Sequence, residues 1–240
     1  MRQNNNRILV ACLSIILTFL IVCPLQAGDA FSDLFSQTKI CFSHIAVTDG
    51  WETEVAVVNP TAKTVSGNLT FYGMEGNQLG AAVPVTINSH GRYQVEVGTT
   101  FAARGNIEYM VFTAPTYGLK GYSKFYKGGV RASIVASAPQ TSGLFTKIDH
   151  EGFTGIAFVN MGSSVARIVL TAYSDAGQAV AVKPMNVNPG AKVVMIAKDL
   201  FAPQSISSAS YISFDSDQGV VGFFLNGSGD GTKLDGSKAL

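Results

Sequence analysis

Apolar and polar residues alternate along much of the chain after residue 50. In Tyr93-Gln94-Val95-Glu96-Val97 every second residue is apolar and the residues between them are polar. Successive side chains of a β-strand point to opposite faces, so this pattern predicts a strand with one buried and one solvated face. Residues 54–57 and 68–71 show the same alternation. No stretch of about 12 residues after residue 27 shows the 3.6-residue period of a helix.

Turn residues divide this pattern into short strands. Asn59-Pro60, Gly76-Asn77 and Gly128-Gly129 are typical turn sequences. The first half of the chain predicts strands near residues 52–59, 66–73, 83–88, 92–97, 106–114, 119–127 and 131–137. The second half predicts strands near residues 155–160, 166–174, 179–187, 191–197, 208–215 and 220–226. Short strands at this spacing, rich in β-branched and aromatic residues, are typical of an antiparallel β-sandwich.

The two halves carry similar residues in the same order. Val55-Ala56-Val57-Val58-Asn59-Pro60 matches Ile156-Ala157-Phe158-Val159-Asn160-Met161, and Leu69-Thr70-Phe71-Tyr72 matches Leu170-Thr171-Ala172-Tyr173. Further matches follow in order: Phe101 with Phe201, Tyr109 with Tyr211, and Gly118 and Gly121 with Gly219 and Gly222. The sequence therefore predicts a tandem duplication of a unit of about 100 residues, which gives an all-β fold of two antiparallel β-sandwich domains.

The first 27 residues have the layout of a secretory signal peptide. Arg2 and Arg7 precede an uncharged apolar run at residues 8–23, and Leu25-Gln26-Ala27 ends on a small residue. We predict cleavage after Ala27 and an extracytoplasmic location, whether secreted, periplasmic or on the cell surface. The apolar run is also close to the length of about 20 residues that spans a bilayer. Membrane attachment is expected only if this segment stays uncleaved or is lipidated at Cys12 or Cys23.

These observations divide the chain into six segments. We predict a signal peptide at residues 1–27, an N-terminal extension at 28–41, a first β-sandwich at 42–137, a linker at 138–145, a second β-sandwich at 146–227 and a flexible C-terminal tail at 228–240. Cleavage leaves Cys41 as the single cysteine, so no internal disulfide can form. Its thiol is either a small buried hydrophobe or a partner in an intermolecular disulfide.

Several motifs resemble tandem immunoglobulin-like β-sandwich repeats of secreted and surface bacterial proteins. The matching motifs are Phe42-Ser43-His44-Ile45, Trp51, Val58-Asn59-Pro60, Leu69-Thr70-Phe71-Tyr72 and Val220-Val221-Gly222-Phe223. The resemblance covers residues 42–235 and implies immunoglobulin-like sandwiches without a catalytic residue. The second copy departs from the pattern at Lys147 and Met161, where a His and a Pro are expected, so a shared role for His44 is in doubt.

Composition and charge exclude some classes of function. Lys and Arg number 17 against 16 Asp and Glu, for a net charge of +1, which does not favour nucleic-acid binding. An apolar content of 47% excludes intrinsic disorder. Charged residues make up only 14% of the chain, compared with about 25% in average proteins. The surface must therefore rely on neutral polar residues, which suits packing against other copies or a matrix.

Motifs for catalysis or metal binding are missing from the sequence. His44, His90 and His150 lie in separate segments, without the spacing of a zinc site. No Gly-x-Ser-x-Gly motif occurs. We therefore predict no catalytic residue, no metal ligand and no cofactor. A hydrolase whose site is assembled from distant residues is kept as a third hypothesis, because spacing in sequence does not test it.

One strand carries a candidate binding site. Between residues 117 and 127 the chain has three tyrosines and three lysines, and the candidate ligand-binding residues are Tyr117, Lys120, Tyr122, Lys124 and Tyr126. If Tyr122 faces the core, we expect Lys120 and Lys124 to share the opposite face by alternation. Such a face suits an anionic polysaccharide or a partner strand. The alternative interpretation is an ordinary edge strand whose lysines prevent aggregation.

The leading hypothesis is a non-enzymatic secreted or cell-envelope protein with a structural or adhesive role. Its expected partners are a polysaccharide, an envelope protein or further copies of itself, and no nucleic acid. The second hypothesis is a carbohydrate-binding module that uses the strand near residues 117–127. An exposed row of aromatic side chains would favour this second hypothesis, whereas a pocket with a histidine beside a serine or carboxylate would favour the hydrolase.

Overall fold

The structure is a computed structural model that describes residues 38–240. The predicted signal peptide, and residues 28–37 of the predicted extension, lie outside the described residues. The described part belongs to one compact unit, Gln37–Leu240. In this part no helix is both long enough and apolar enough to cross a membrane.

The chain is an all-β protein of antiparallel sheets, and its first half contains eight strands. They are β1 Thr38–Phe42, β2 Glu52–Val58, β3 Val65–Tyr72, β4 Val83–Ile87, β5 Arg92–Glu96, β6 Tyr109–Ala114, β7 Lys120–Lys127 and β8 Val130–Val135. A short helix, α1 (Val97–Thr100), and a 3₁₀ turn at Ala102–Arg104 separate β5 from β6. The strands form two four-stranded sheets, which we name layer A1 (order β1-β6-β3-β4) and layer B1 (order β5-β2-β7-β8).

The second half contains seven strands and one short helix. They are β9 Gln140–Phe145, β10 Phe153–Asn160, β11 Ala166–Tyr173, β12 Ala179–Val187, β13 Lys192–Ile196, α2 Ala197–Phe201, β14 Tyr211–Gly227 and β15 Leu234–Lys238. Strand β14 is 17 residues long and belongs to both layers. Its first part pairs with β9 and β11, and its second part pairs with β10 and β15.

The strand order of the first half occurs again in the second half. Layer A2 has the order β9-β14-β11-β12 and layer B2 has the order β13-β10-β14-β15. In the first half a loop separates β6 from β7, whereas β14 continues through a register shift between Asp215 and Val220. An irregularity of this kind lets a strand pass from one sheet to the next without ending. The two predicted strands 208–215 and 220–226 are therefore one strand.

Each half has its own apolar core between its two layers. In the first half Phe42, Phe71 and Phe112 of layer A1 pack with Val55 and Val57 of layer B1. In the second half the core is built from the corresponding strands and includes Phe145, Phe158, Leu170, Phe214 and Phe224. Alternation places these residues on inward faces and leaves their neighbours for the outward faces.

Three predicted boundaries differ from the structure. Residues 140–145 of the predicted linker form β9, and its Phe145 is completely buried. Residues 234–238 of the predicted flexible tail form β15, which is followed by the buried Ala239. The predicted extension ends inside β1. These strands form because their backbones pair with a neighbouring strand, and their short, polar or glycine-containing sequences show little alternation.

Candidate functional site

Four of the five predicted binding residues lie on one open sheet face. Lys120, Tyr122, Lys124 and Tyr126 alternate with buried residues along β7 and point outward from layer B1. Tyr117 lies in the loop before β7 and is 73% exposed. The structure therefore brings the tyrosines and lysines of β7 together, and Tyr117 is outside the strand.

Strands β2 and β5 add carboxylates to this face that the linear sequence does not place there. Glu54 is opposite Lys124 in the sheet, and Glu96 is the next residue in the same row. The Tyr122 hydroxyl donates a hydrogen bond to Glu54 Oε1, and Gln94 Nε2 donates to Glu54 Oε2 at 2.8 Å. Lys124 Nζ lies 3.5 Å from Glu54 Oε2. Glu54 is thus the centre of a polar network.

The remaining contacts of the face also connect opposite charges with tyrosines. Arg92 lies 3.5 Å from Glu54 and donates to the Tyr122 hydroxyl. The Tyr126 hydroxyl donates to Glu96 Oε2 at 3.0 Å, and this bond is the main cause that raises the pKa of Tyr126. The face is therefore mixed in charge, and Lys124 is paired with a carboxylate. The lysine-rich character that the sequence suggests is offset by residues of the neighbouring strands.

A second cluster of titratable residues, missed by the sequence analysis, is buried between the two halves. Lys192 Nζ donates to the Glu108 carbonyl at 2.8 Å, lies 3.2 Å from Glu108 Oε2 and lies 3.3 Å from His44 Nδ1. The Lys192 side chain is 0% exposed. Burial lowers the pKa of Lys192, and the Glu108 carboxylate acts against this shift. Each residue is unremarkable in the sequence, and only docking of the halves brings them together.

His44 is held in an aromatic environment beside this lysine. Its ring centroid is 4.6 Å from that of Phe125 and 5.4 Å from that of Phe223. Burial, and to a lesser extent the positive charge of Lys192, lowers the pKa of His44 to about 3. Cys41 is also completely buried, and burial raises the pKa of its thiol to about 12. Of the two alternatives for Cys41, the structure favours the buried hydrophobe.

Apolar contacts surround the cluster and complete the contact between the halves. Cys41, Tyr109 and Val111 of layer A1 pack against Val159 and Val221 of layer B2. A neighbouring cluster joins residues of β7 and β8 to residues of layer B2: Phe125, Ala132, Ile134, Ala157 and Phe223. Besides the bonds of Lys192 Nζ, two hydrogen bonds cross the same contact, from the Tyr109 hydroxyl to the Gly190 carbonyl at 2.6 Å and from the Lys192 amide to the Met74 carbonyl at 2.8 Å.

A cavity of about 290 Å³ contains His150 together with Ser205 and Ser207. His150 Nε2 is 2.7 Å from the Ala209 carbonyl, and Ser205 bonds to Ser207. The neighbouring Asp149 carboxylate accepts the backbone amides of residues 151 and 152. Among the described residues, His150 and Asp149 therefore bond to backbone atoms and Ser205 to Ser207, and no hydrogen bond joins His150 to a serine or a carboxylate. Among residues 38–240 no three His, Cys, Asp or Glu side chains are grouped as a metal site.

Comparison with known proteins gives structural similarities only. No protein-family model and no curated protein sequence matches the chain. A protein from Thermotoga maritima is 16% identical, covers 42% of this chain and 94% of its own, and has a TM-score of 0.37. The Anabaena sensory rhodopsin transducer is 18% identical, with 35% and 79% coverage and a TM-score of 0.31. The pilus backbone of Streptococcus pneumoniae is 9% identical, with 84% and 47% coverage and a TM-score of 0.20.

Proposed function

We propose that this chain is a non-enzymatic, exported structural or adhesive protein that acts through its sheet surfaces. The observation that carries the proposal is that the buried polar groups hold the two halves together. Lys192 of the second half bonds to Glu108 and to His44 of the first half and so joins the two halves. A buried ion pair inside an apolar contact favours one relative arrangement of the halves, because any other arrangement leaves a charge unpaired. Such a body presents its surfaces in a constant geometry.

We also propose that the halves are two copies of one immunoglobulin-like unit and that the chain works outside the cytoplasm. The recurrence of the strand order supports the first statement. The layout of residues 1–27 supports the second, since it is typical of a signal peptide. A free cysteine that is fully buried also suits an oxidising compartment, because its thiol is protected.

A pull-down experiment tests the adhesive role. The purified exported chain is incubated with whole cell envelopes and with insoluble and acidic polysaccharides, and bound protein is measured against concentration. We expect saturable binding to envelopes. A chain that binds neither envelopes nor further copies of itself would contradict the proposal.

A carbohydrate-binding role is the second candidate, and the open face of β7 favours it. Tyr122 and Tyr126 are half-buried there beside Lys124, and aromatic rings next to polar groups suit sugar binding. The variant Lys120→Ala/Lys124→Ala tests this role. Its matched control is Lys63→Ala/Lys198→Ala, which removes two exposed lysines elsewhere. If Lys120→Ala/Lys124→Ala loses polysaccharide binding and the control keeps it, the carbohydrate-binding role replaces the structural or adhesive one.

A further inference from the structure

The contact between the halves joins the outer faces of two different layers. The equivalent layer in the other half has an outer face that no other described residue covers, and this is true for both. The outer face of layer A1 is packed against the outer face of layer B2. The corresponding outer faces of the other two layers, A2 and B1, take no part in this contact. A contact between unlike faces can continue from one molecule to the next.

The uncovered face of layer A2 has the same central feature as the covered face of layer A1. In layer A1 the rings of Tyr72 and Tyr109 are stacked at 4.8 Å, and Tyr109 is 2% exposed under layer B2. In layer A2 the rings of Tyr173 and Tyr211 are stacked at 5.2 Å and are both partly exposed. The same platform is therefore buried in one half and open in the other.

The rest of the A2 face combines exposed apolar side chains with small polar ones. Val182, Thr171, Ser213 and Leu144 follow one another across the strands in a single row. Val182 is 47% exposed, Leu144 is 41% exposed and Val169, in the next row, is 44% exposed. Exposed apolar side chains around an open pair of stacked tyrosines suit an interaction surface.

We propose that the outer face of layer A2 binds the outer face of layer B1 of a second copy, so that the chain associates head to tail. The arrangement would repeat the contact that the halves already make within one molecule. This inference rests on the proposed structural role and names its partner.

The charges on the outer faces of layers B1 and A2 favour a second copy of this chain as the partner of the A2 face. If layer B1 docks as layer B2 does, Lys120 takes the place of Val221, which packs beside Val111. The counterpart of Val111 is Ser213, and the exposed Asp215 follows on the same face. Arg92 takes the place of Lys192, whose amide contacts Met74, and the counterpart of Met74 is the exposed Asp175. This docking would place Lys120 near Asp215, and Arg92, which is also paired with Glu54, near Asp175.

The contact between molecules is expected to be weaker than the contact within one. Layer B1 carries Lys120, Tyr122 and Lys124 where layer B2 carries Val221, Phe223 and Leu225. Less apolar area is therefore buried. The counterpart of Glu108 is Ser210, so Arg92 has no equivalent of the buried ion pair. Association is accordingly reversible and depends on concentration and salt.

Sedimentation analysis of the exported chain over a concentration series tests the proposal. We expect the average mass to rise beyond that of a dimer, because unlike faces leave free ends. Val169→Lys places a charge in the A2 face and should reduce association at least tenfold. Val194→Lys is the matched control, since Val194 is 49% exposed on β13, in the other layer. Both positions are exposed, so each variant should fold, which its unfolding temperature verifies.

A charge exchange identifies the two faces. Asp215→Lys and Lys120→Glu should each weaken association, and a mixture of the two variants should restore a heterodimer. A mixture that stays monomeric, or a control that dissociates as Val169→Lys does, would overturn the proposal. A wild-type chain that stays monomeric but binds envelopes would overturn self-association and leave the adhesive role standing. A chain that associates with itself but does not bind envelopes would overturn the adhesive role and leave self-association standing.

Discussion

The protein should lose stability in mild acid because His44 is protonated in the unfolded chain but stays neutral in the folded one. The ring accepts a hydrogen bond from Lys192 at Nδ1, so the neutral imidazole fits the site. A protonated ring would place a second positive charge beside the lysine. The pKa of His44 is lowered from 6.5 to about 3. Because the unfolded chain takes up this proton first, stability is lost as the pH falls below 6.5.

The size of the effect follows from the pKa shift. Each pH unit between the two pKa values changes the free energy of unfolding by about 1.4 kcal/mol. Between pH 7 and pH 4, His44 should therefore lower the free energy of unfolding by about 3 kcal/mol. That is a large part of a total stability of about 5–15 kcal/mol.

Urea unfolding at pH 7, 5 and 4 measures this loss. His44→Gln keeps a hydrogen-bond acceptor but does not titrate, so its stability should fall by about 3 kcal/mol less than that of the wild type over the same range. The acidic residues contribute equally to both proteins and cancel in the difference. His90→Asn, at an exposed turn, is the matched control and should follow the wild type. The reasoning is refuted if His44→Gln and the wild type lose the same stability.

Three further predictions concern the turns and the contact between the halves. Asn160 is fully buried, and its amide donates to the Ser164 carbonyl at 2.8 Å and to the Val187 carbonyl at 3.0 Å. Asn160→Ala leaves these carbonyls unpaired and should cost about 2–4 kcal/mol in urea unfolding. Gly76→Ala should destabilise by more than about 2 kcal/mol because the new methyl group meets the backbone of Gly190. Gly105→Ala, with a similar positive φ but open space around it, should cost only about 1 kcal/mol. Cys41 should react with a thiol reagent no faster than the chain unfolds, and rapid labelling of the native protein would contradict its burial.

Local patterns predicted most of the strands, for a reason that residues 93–96 of β5 illustrate. Their alternation reflects one buried and one solvated face, which is a property of neighbouring residues in the chain. Strand β15 shows the limit of this signal. Its sequence Leu234-Asp235-Gly236-Ser237-Lys238 has little apolar alternation, and the strand exists because its backbone pairs with β14.

The candidate site also contains some residues that the sequence predicted and others that only strand pairing brings there. Lys120 and Lys124 were predicted to share a face opposite Tyr122, whereas the structure places Tyr122 and Tyr126 on the same face as the lysines. Residues two apart on a strand point to the same side. Glu54 and Glu96 come from other strands, and only the pairing register places them beside these residues. The register therefore decided that the face is mixed in charge.

By itself, the sequence determined the all-β class, most strand positions and the recurrence of landmarks in two halves, because each depends on short-range periodicity or on comparison of the chain with itself. Only the tertiary structure decided that Lys192 is buried. As the first residue of β13 it resembles its exposed counterpart Arg92. Its burial follows from the docking of layer B2 on layer A1, a contact between residues far apart in the chain.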